Sequence, residues 1–139
     1  MVRAIIDNKW VDFIGGLEQA CKLFVPQDTG MMTDVQPRTE PLTLEDGTVI
    51  THDSAIKTLL TIAVQKHLDA TAQLHGYDNI HTAALRAGYP GPFHDEGVRY
   101  ATWMDAVWTY AIQVLADVTS GARGVPTTVN LIAELPAFV

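Results

Sequence analysis

The spacing of apolar and polar positions divides the chain near residue 50. Val2 to Ile6 and Lys9 to Ile14 are short β-favouring runs around Asp7-Asn8. Two residues of this type between two such runs predict a hairpin. Gly15-Gly16 breaks the pattern. Leu17, Ala20, Cys21 and Phe24 then recur at helical spacing, which predicts a short helix over Leu17 to Val25. Pro26 to Pro41 is rich in Asp, Thr, Gly, Gln and Pro and reads as an extended connector, long for a compact domain. Leu42 to Ile50 predicts a second hairpin around Glu45-Asp46-Gly47.

The period changes after residue 50. Thr51, Asp53 or Ser54 can cap a helix running to about His75. Its apolar stripe is Ile56, Leu59, Leu60, Ala63, His67, Leu68, Ala70, Thr71 and Leu74, with Lys57, Lys66, Asp69 and Gln73 mostly opposite. Gly76 stands where a left-handed glycine would end it. Asp78 or Asn79 can cap a short helix to Ala87, stopped by Gly88, and Tyr89-Pro90-Gly91-Pro92 is a rigid turn. A long helix follows over Asp95 to Thr119, ended by Gly121. Its apolar side is Trp103, Met104, Val107, Trp108, Ala111, Ile112, Leu115 and Val118. Pro126-Thr127-Thr128 opens a terminal helix, Val129 to Leu135, which Pro136 stops. The expected fold is mainly α: a small helical bundle of two long and two short helices, with an N-terminal β-hairpin and extended arm. Residues 1–50 form the arm and 51–139 the helical module.

A length of 139 residues suits one domain, and 47% hydrophobic against 18% charged residues is a globular composition. Lys plus Arg number 9 against 16 Asp plus Glu, a net charge of -7, which argues against nucleic acid as a partner. The single cysteine, Cys21, allows no intrachain disulfide and no all-Cys metal site. No apolar run approaches the roughly 20 residues that span a bilayer, and the first ten residues lack a signal-peptide layout. No membrane partner is expected.

Candidate chemistry is sparse. His67 and His75 lie eight residues apart near one helix face, with Asp69 and Asp78 close in sequence. A His/Asp set of this kind could hold zinc or a harder metal, but the spacing matches no strong motif. A buried, hydrogen-bonded His67 and a helix-end cation at His75 are the simpler roles. Asp105 lies between Trp103 and Trp108 in sequence, and is expected to tie its helix to a neighbouring backbone by a hydrogen bond. Ser54 and Ser120 lie in no nucleophile elbow, and Gly15-Gly16 is no phosphate cradle. No catalytic residue, metal or cofactor is expected. The aromatic residues point to partners. Trp103 and Trp108, five positions apart, face different sides of one helix, so either one of them meets another chain or both belong to the core of the bundle. Trp10 and Phe13 on the first hairpin, with Met31 and Met32 in the connector, exceed what so small an arm can bury alone.

Several motifs in order carry a resemblance. They are Leu44-Glu45-Asp46-Gly47-Thr48-Val49, Val64-Gln65-Lys66-His67-Leu68-Asp69-Ala70-Thr71-Ala72 and Gly76-Tyr77-Asp78-Asn79-Ile80. Phe93-His94-Asp95-Glu96-Gly97, Trp103-Met104-Asp105-Ala106-Val107-Trp108, Val118-Thr119-Ser120-Gly121 and Leu131-Ile132-Ala133-Glu134-Leu135-Pro136 follow. Over residues 42–136 the chain resembles a family of small tail proteins of tailed bacteriophages and prophages, associated with the tail fibre or its assembly. The resemblance implies a non-enzymatic tail component in the virion tail, or in the host cytoplasm during assembly. Its partners would be other tail or fibre proteins, in a homo-oligomer or a hetero-complex. It also implies that Tyr77, Asp78, Trp103, Asp105 and Trp108 determine the fold or the partner. A fibre-assembly chaperone is the alternative within this context. An acidic inhibitor of a host defence protein is an alternative outside it, weakened by the dispersal of the acids along the chain.

Overall fold

The computed structural model describes residues 2–24 and 38–139. Its element order is β1 (Val2–Ile6), β2 (Lys9–Phe13), α1 (Gly16–Cys21), β3 (Leu42–Thr43), β4 (Val49–Ile50), α2 (His52–Leu74), α3 (Ile80–Leu85), α4 (His94–Ser120) and α5 (Thr128–Glu134). The fold is mainly α. Short 3-10 turns, Lys22–Phe24 and Arg86–Gly88, extend α1 and α3.

Local chemistry accounts for most boundaries. β1 and β2 pair antiparallel with Ile6 opposite Lys9, and Asp7 and Asn8 both take positive φ, 52° and 66°. Two left-handed residues are what a two-residue hairpin turn requires to match the strand twist. Thr51 caps α2 through a reciprocal box: its hydroxyl accepts from the Ser54 N–H, and the Ser54 hydroxyl accepts from the Thr51 N–H. At the other end Gly76 has φ 88°, its N–H donates to Gln73, and the Tyr77 N–H reaches back to Ala72. That is the paired closure of a left-handed C-terminus, repeated at Gly121, where Gly121 donates to Val118 and Ala122 to Asp117. Asn79, not Asp78, caps α3 by accepting from the Thr82 N–H at 2.9 Å.

α2 is the central element. α1, the turn after it, α3, α4 and α5 all pack on it. One core runs through the molecule, and Ala4, Phe13, Ala20, Cys21, Phe24, Leu42, Leu44 and Ile50 belong to it. The described part of residues 1–50 therefore packs into the helical module instead of standing off as an arm. Phe13, expected to face a partner, is 4% exposed. The arm buries these side chains because β1 is tied on its far side to the second hairpin: Ala4 bridges Leu44, and the Glu45 N–H donates to Arg3.

Both long helices bury a stripe slightly rotated from the expected one. On α2 the line is Ile56, Leu60, Val64, Leu68 and Ala72, whereas Ala70 is exposed and Leu74 is 84% exposed. Leu74 lies two residues past Ala72, about 200° further around the helix, on the side away from the core. On α4 the line is Gly97, Tyr100, Trp103, Val107, Ala111 and Val114, and Ile112 is exposed. Hydropathy alone counted Leu74 and Ile112 as core and missed Tyr100 and Gly97.

Gly97 sits inside α4, where glycine is normally unfavourable. Contact explains it. A Cβ there would lie 2.5 Å from the Ala87 backbone nitrogen and 2.7 Å from Arg86 Cβ. The turn after α3 rests directly on the α4 backbone.

Candidate functional site

Two regions gather the side chains singled out from sequence. The first is the outer face of the β1–β2 hairpin. Ile5 and Trp10 are cross-strand partners there, and both are about half exposed. Next to them Arg3 and Asp12, also opposite one another, form an ion pair with Nε 2.6 Å from Oδ1. The Arg3 guanidinium lies 4.8 Å from the Trp10 ring centroid. One ring face is thus shielded by a cation while the rest meets solvent. Ile14, just beyond β2, is 85% exposed. Among the described residues β2 pairs with β1 alone, so its outer edge carries no strand.

The second region is an aromatic cluster where the C-terminal end of α2 meets the first half of α4. Trp103, expected as a partner-binding residue, is only 6% exposed. Its indole N–H donates to the Pro136 carbonyl at 2.7 Å, which supplies the partner a buried indole needs. Phe138 stacks on Tyr100 at 4.2 Å and 14°, and meets Trp103 and His75 edge-on at 5.3 and 5.6 Å. Tyr100 is fully buried, and its hydroxyl lies 2.5 Å from His75 Nδ1. Tyr77 packs on Tyr100 and donates its hydroxyl to Glu96 at 2.8 Å. Burial pushes the pKa of both tyrosines upward, with the Glu96 carboxylate adding to it. These groups hold a joint between α2, α4 and the segment after α5.

His67 meets Trp103 edge-on at 5.8 Å, and desolvation lowers its pKa. His75 is engaged with Tyr100, and Asp78 is exposed, with its carbonyl accepting from Gln73. Among the described residues no three His, Cys, Asp or Glu side chains come together as metal ligands. Trp108 is half-buried against the rim of the core. Met31 and Met32 lie outside the described residues. Asp105 departs from expectation. It is exposed, and among the described residues its carboxylate takes no hydrogen bond; only its carbonyl accepts, from the Thr109 hydroxyl. It sits on the solvent side because the buried line of α4 passes through Trp103 and Val107.

A carboxylate that does tie one helix to a neighbour's backbone is Asp69, which the periodicity placed on the polar side. Its Oδ1 accepts from the Ile80 N–H at 3.0 Å and from Gln65 at 3.1 Å, fixing the start of α3 against α2. The only sequence signal for this role is its i, i+4 spacing from Gln65. Elsewhere, a depression of about 430 Å³ is lined by Tyr89, Pro90, His94 and Asp95. His94 Nδ1 and the Asp95 carboxylate stand 3.4 Å apart there, and the carboxylate is fully solvated. Screening by water keeps such a pair weak. No helix among the described residues is long and apolar enough to cross a membrane. Compared with protein families, curated proteins and solved structures, the chain matches none.

Proposed function

We propose that the chain is a non-enzymatic phage tail component that acts on the tail or tail fibre through protein–protein contacts. The reading starts from the ordered motifs over residues 42–136. The observation that supports it in the fold is the outer hairpin face, where Trp10, Ile5 and Ile14 are open to solvent while Phe13 on the inner face is buried. Indole and branched aliphatic side chains on an open ribbon lose water only when a second chain covers them. Tryptophan is also among the residues that most often anchor such contacts. The outer edge of β2, which pairs with no further strand among the described residues, offers backbone groups to an extended segment of the partner.

Co-expression with a tail-fibre protein, followed by size-exclusion chromatography with light scattering, tests the reading. A stable hetero-complex or homo-oligomer is expected, lost in Trp10→Ser while the unfolding midpoint holds. A monodisperse monomer that ignores the fibre protein overturns it. Mass spectrometry of purified particles separates a resident tail component from an assembly chaperone, which leaves before maturation.

A further inference from the structure

His75 follows the last residue of α2, and its Nδ1 stands between two groups that make opposite demands on it. The Tyr100 hydroxyl is 2.5 Å away, and the Thr71 carbonyl oxygen is 3.2 Å away. A neutral ring with its proton on Nε2 presents a lone pair at Nδ1 and accepts from Tyr100. Once Nδ1 carries a proton it can only donate, to the Thr71 carbonyl or the Tyr100 oxygen, and no longer accepts the hydroxyl's proton. The Thr71 carbonyl is available for this. The His75 N–H that would normally reach it donates to Ala72 instead. Tyr100 is fully buried, so its hydroxyl proton needs an acceptor. One ring atom thus selects between two arrangements.

The selection bears on the segment that follows α5. Phe138 stacks on Tyr100 and touches His75 and Trp103, while Trp103 holds the Pro136 carbonyl. We propose that the His75–Tyr100 pair is a proton-controlled latch for residues 136–138, closed while the imidazole is neutral and loosened when it gains a proton.

The other charged and titratable groups near the pair are Glu96, Tyr77, Arg99 and His67. Glu96 already accepts the Tyr77 hydroxyl. Arg99 lies 5.8 Å from the Phe138 ring centroid, so an imidazolium brings a second positive charge to the surroundings of that ring. His67, a second imidazole, meets Trp103 from α2, so the test must separate it. The latch does not depend on the proposed tail function.

The Trp103 indole proton reports the latch, because Pro136 is its acceptor. Its hydrogen-exchange protection is read by NMR on the full chain at pH 8 and pH 5, corrected for intrinsic exchange. Protection in the native chain is expected to fall by about tenfold at pH 5. In His75→Asn the side-chain oxygen replaces Nδ1 as an acceptor that does not titrate, and protection should no longer depend on pH. Tyr100→Phe removes the donor and should abolish the dependence from the other side. Protection that is equal at the two pH values in the native chain overturns the proposal. So does a loss that persists in both variants, or one that vanishes only in His67→Gln.

Discussion

Trp10 and Trp103 carry the same ring into opposite surroundings. Trp103 stands on the buried line of a long helix, within a set of edge-on and stacked rings, and its N–H is satisfied by Pro136. Trp10 stands on the open face of a two-stranded ribbon, touched by the Arg3 guanidinium and about half exposed. The contrast shows that an aromatic residue points to a partner through the face it occupies, not through its abundance. Beside Met31 and Met32, which lie outside the described residues, four aromatic positions in sequence were candidates for outward contact: Trp10, Phe13, Trp103 and Trp108. The fold turns Phe13 and Trp103 inward, leaves Trp108 on the rim and leaves Trp10 open.

The sharpest way to break this contrast is truncation of each ring in turn. Trp103→Ala leaves a cavity beneath Phe138 and an unpaired Pro136 carbonyl, so a loss of about 3–5 kcal/mol is expected in urea unfolding. Gly97→Ala comes next. The added methyl meets the Ala87 backbone, which cannot rotate aside, and the expected loss of about 1–3 kcal/mol exceeds the gain in helix propensity. A more stable Gly97→Ala protein would show that the α3–α4 contact is looser than described. Tyr100→Phe removes one hydrogen bond and keeps the stacked ring. A cost of about 1 kcal/mol is expected, measured by the same titration.

His67 gives a pH dependence whose sign follows from its surroundings. Desolvation lowers its pKa below the ordinary histidine value, so the folded chain takes up that proton less readily than the unfolded chain. Its contribution is fully present above the unfolded-chain value of about 6.5, and is lost as pH falls through that value toward the lower folded one. Stability should therefore decline as the pH is lowered from neutrality, and His67→Gln should flatten that decline. The smallest effect is reserved for the open ring. Trp10→Ser is expected to move folding stability by about 0.5 kcal/mol or less, as for exposed positions generally. Its consequence should appear in complex formation instead. A large loss of stability in Trp10→Ser would mean that the outer hairpin face belongs to the core after all.

Much of the fold was legible because its signals are local. Asp7-Asn8 between two β-favouring runs, the Thr51 cap, Gly76 and Gly121 past helix ends, and Pro126-Thr127 before α5 each act within a few residues. Phase was less legible. Leu74 and Ile112 are as hydrophobic as their buried neighbours, and only the position of α3, α4 and α5 around α2 decides which side of each helix is covered. The aromatic cluster was legible in part. Trp103 was marked, but Phe138 lies past Pro136, where no period applies, and its stack on Tyr100 joins residues 38 positions apart (138 − 100). Asp105 and Asp69 exchanged roles for the same reason. A carboxylate between two tryptophans looks important on paper, yet Asp69 is the one whose oxygen reaches another element's N–H.

Sequence alone determined where the chain turns, where helices begin and end, and that hairpins precede a bundle of helices. Those outcomes depend on allowed backbone angles and on hydrogen bonds between residues a few positions apart. Tertiary structure decided which aromatic residues are closed in and which stay open, and which carboxylate and imidazole act as ties. Those outcomes depend on the packing of whole elements, which sets the burial and the partner of each side chain at once.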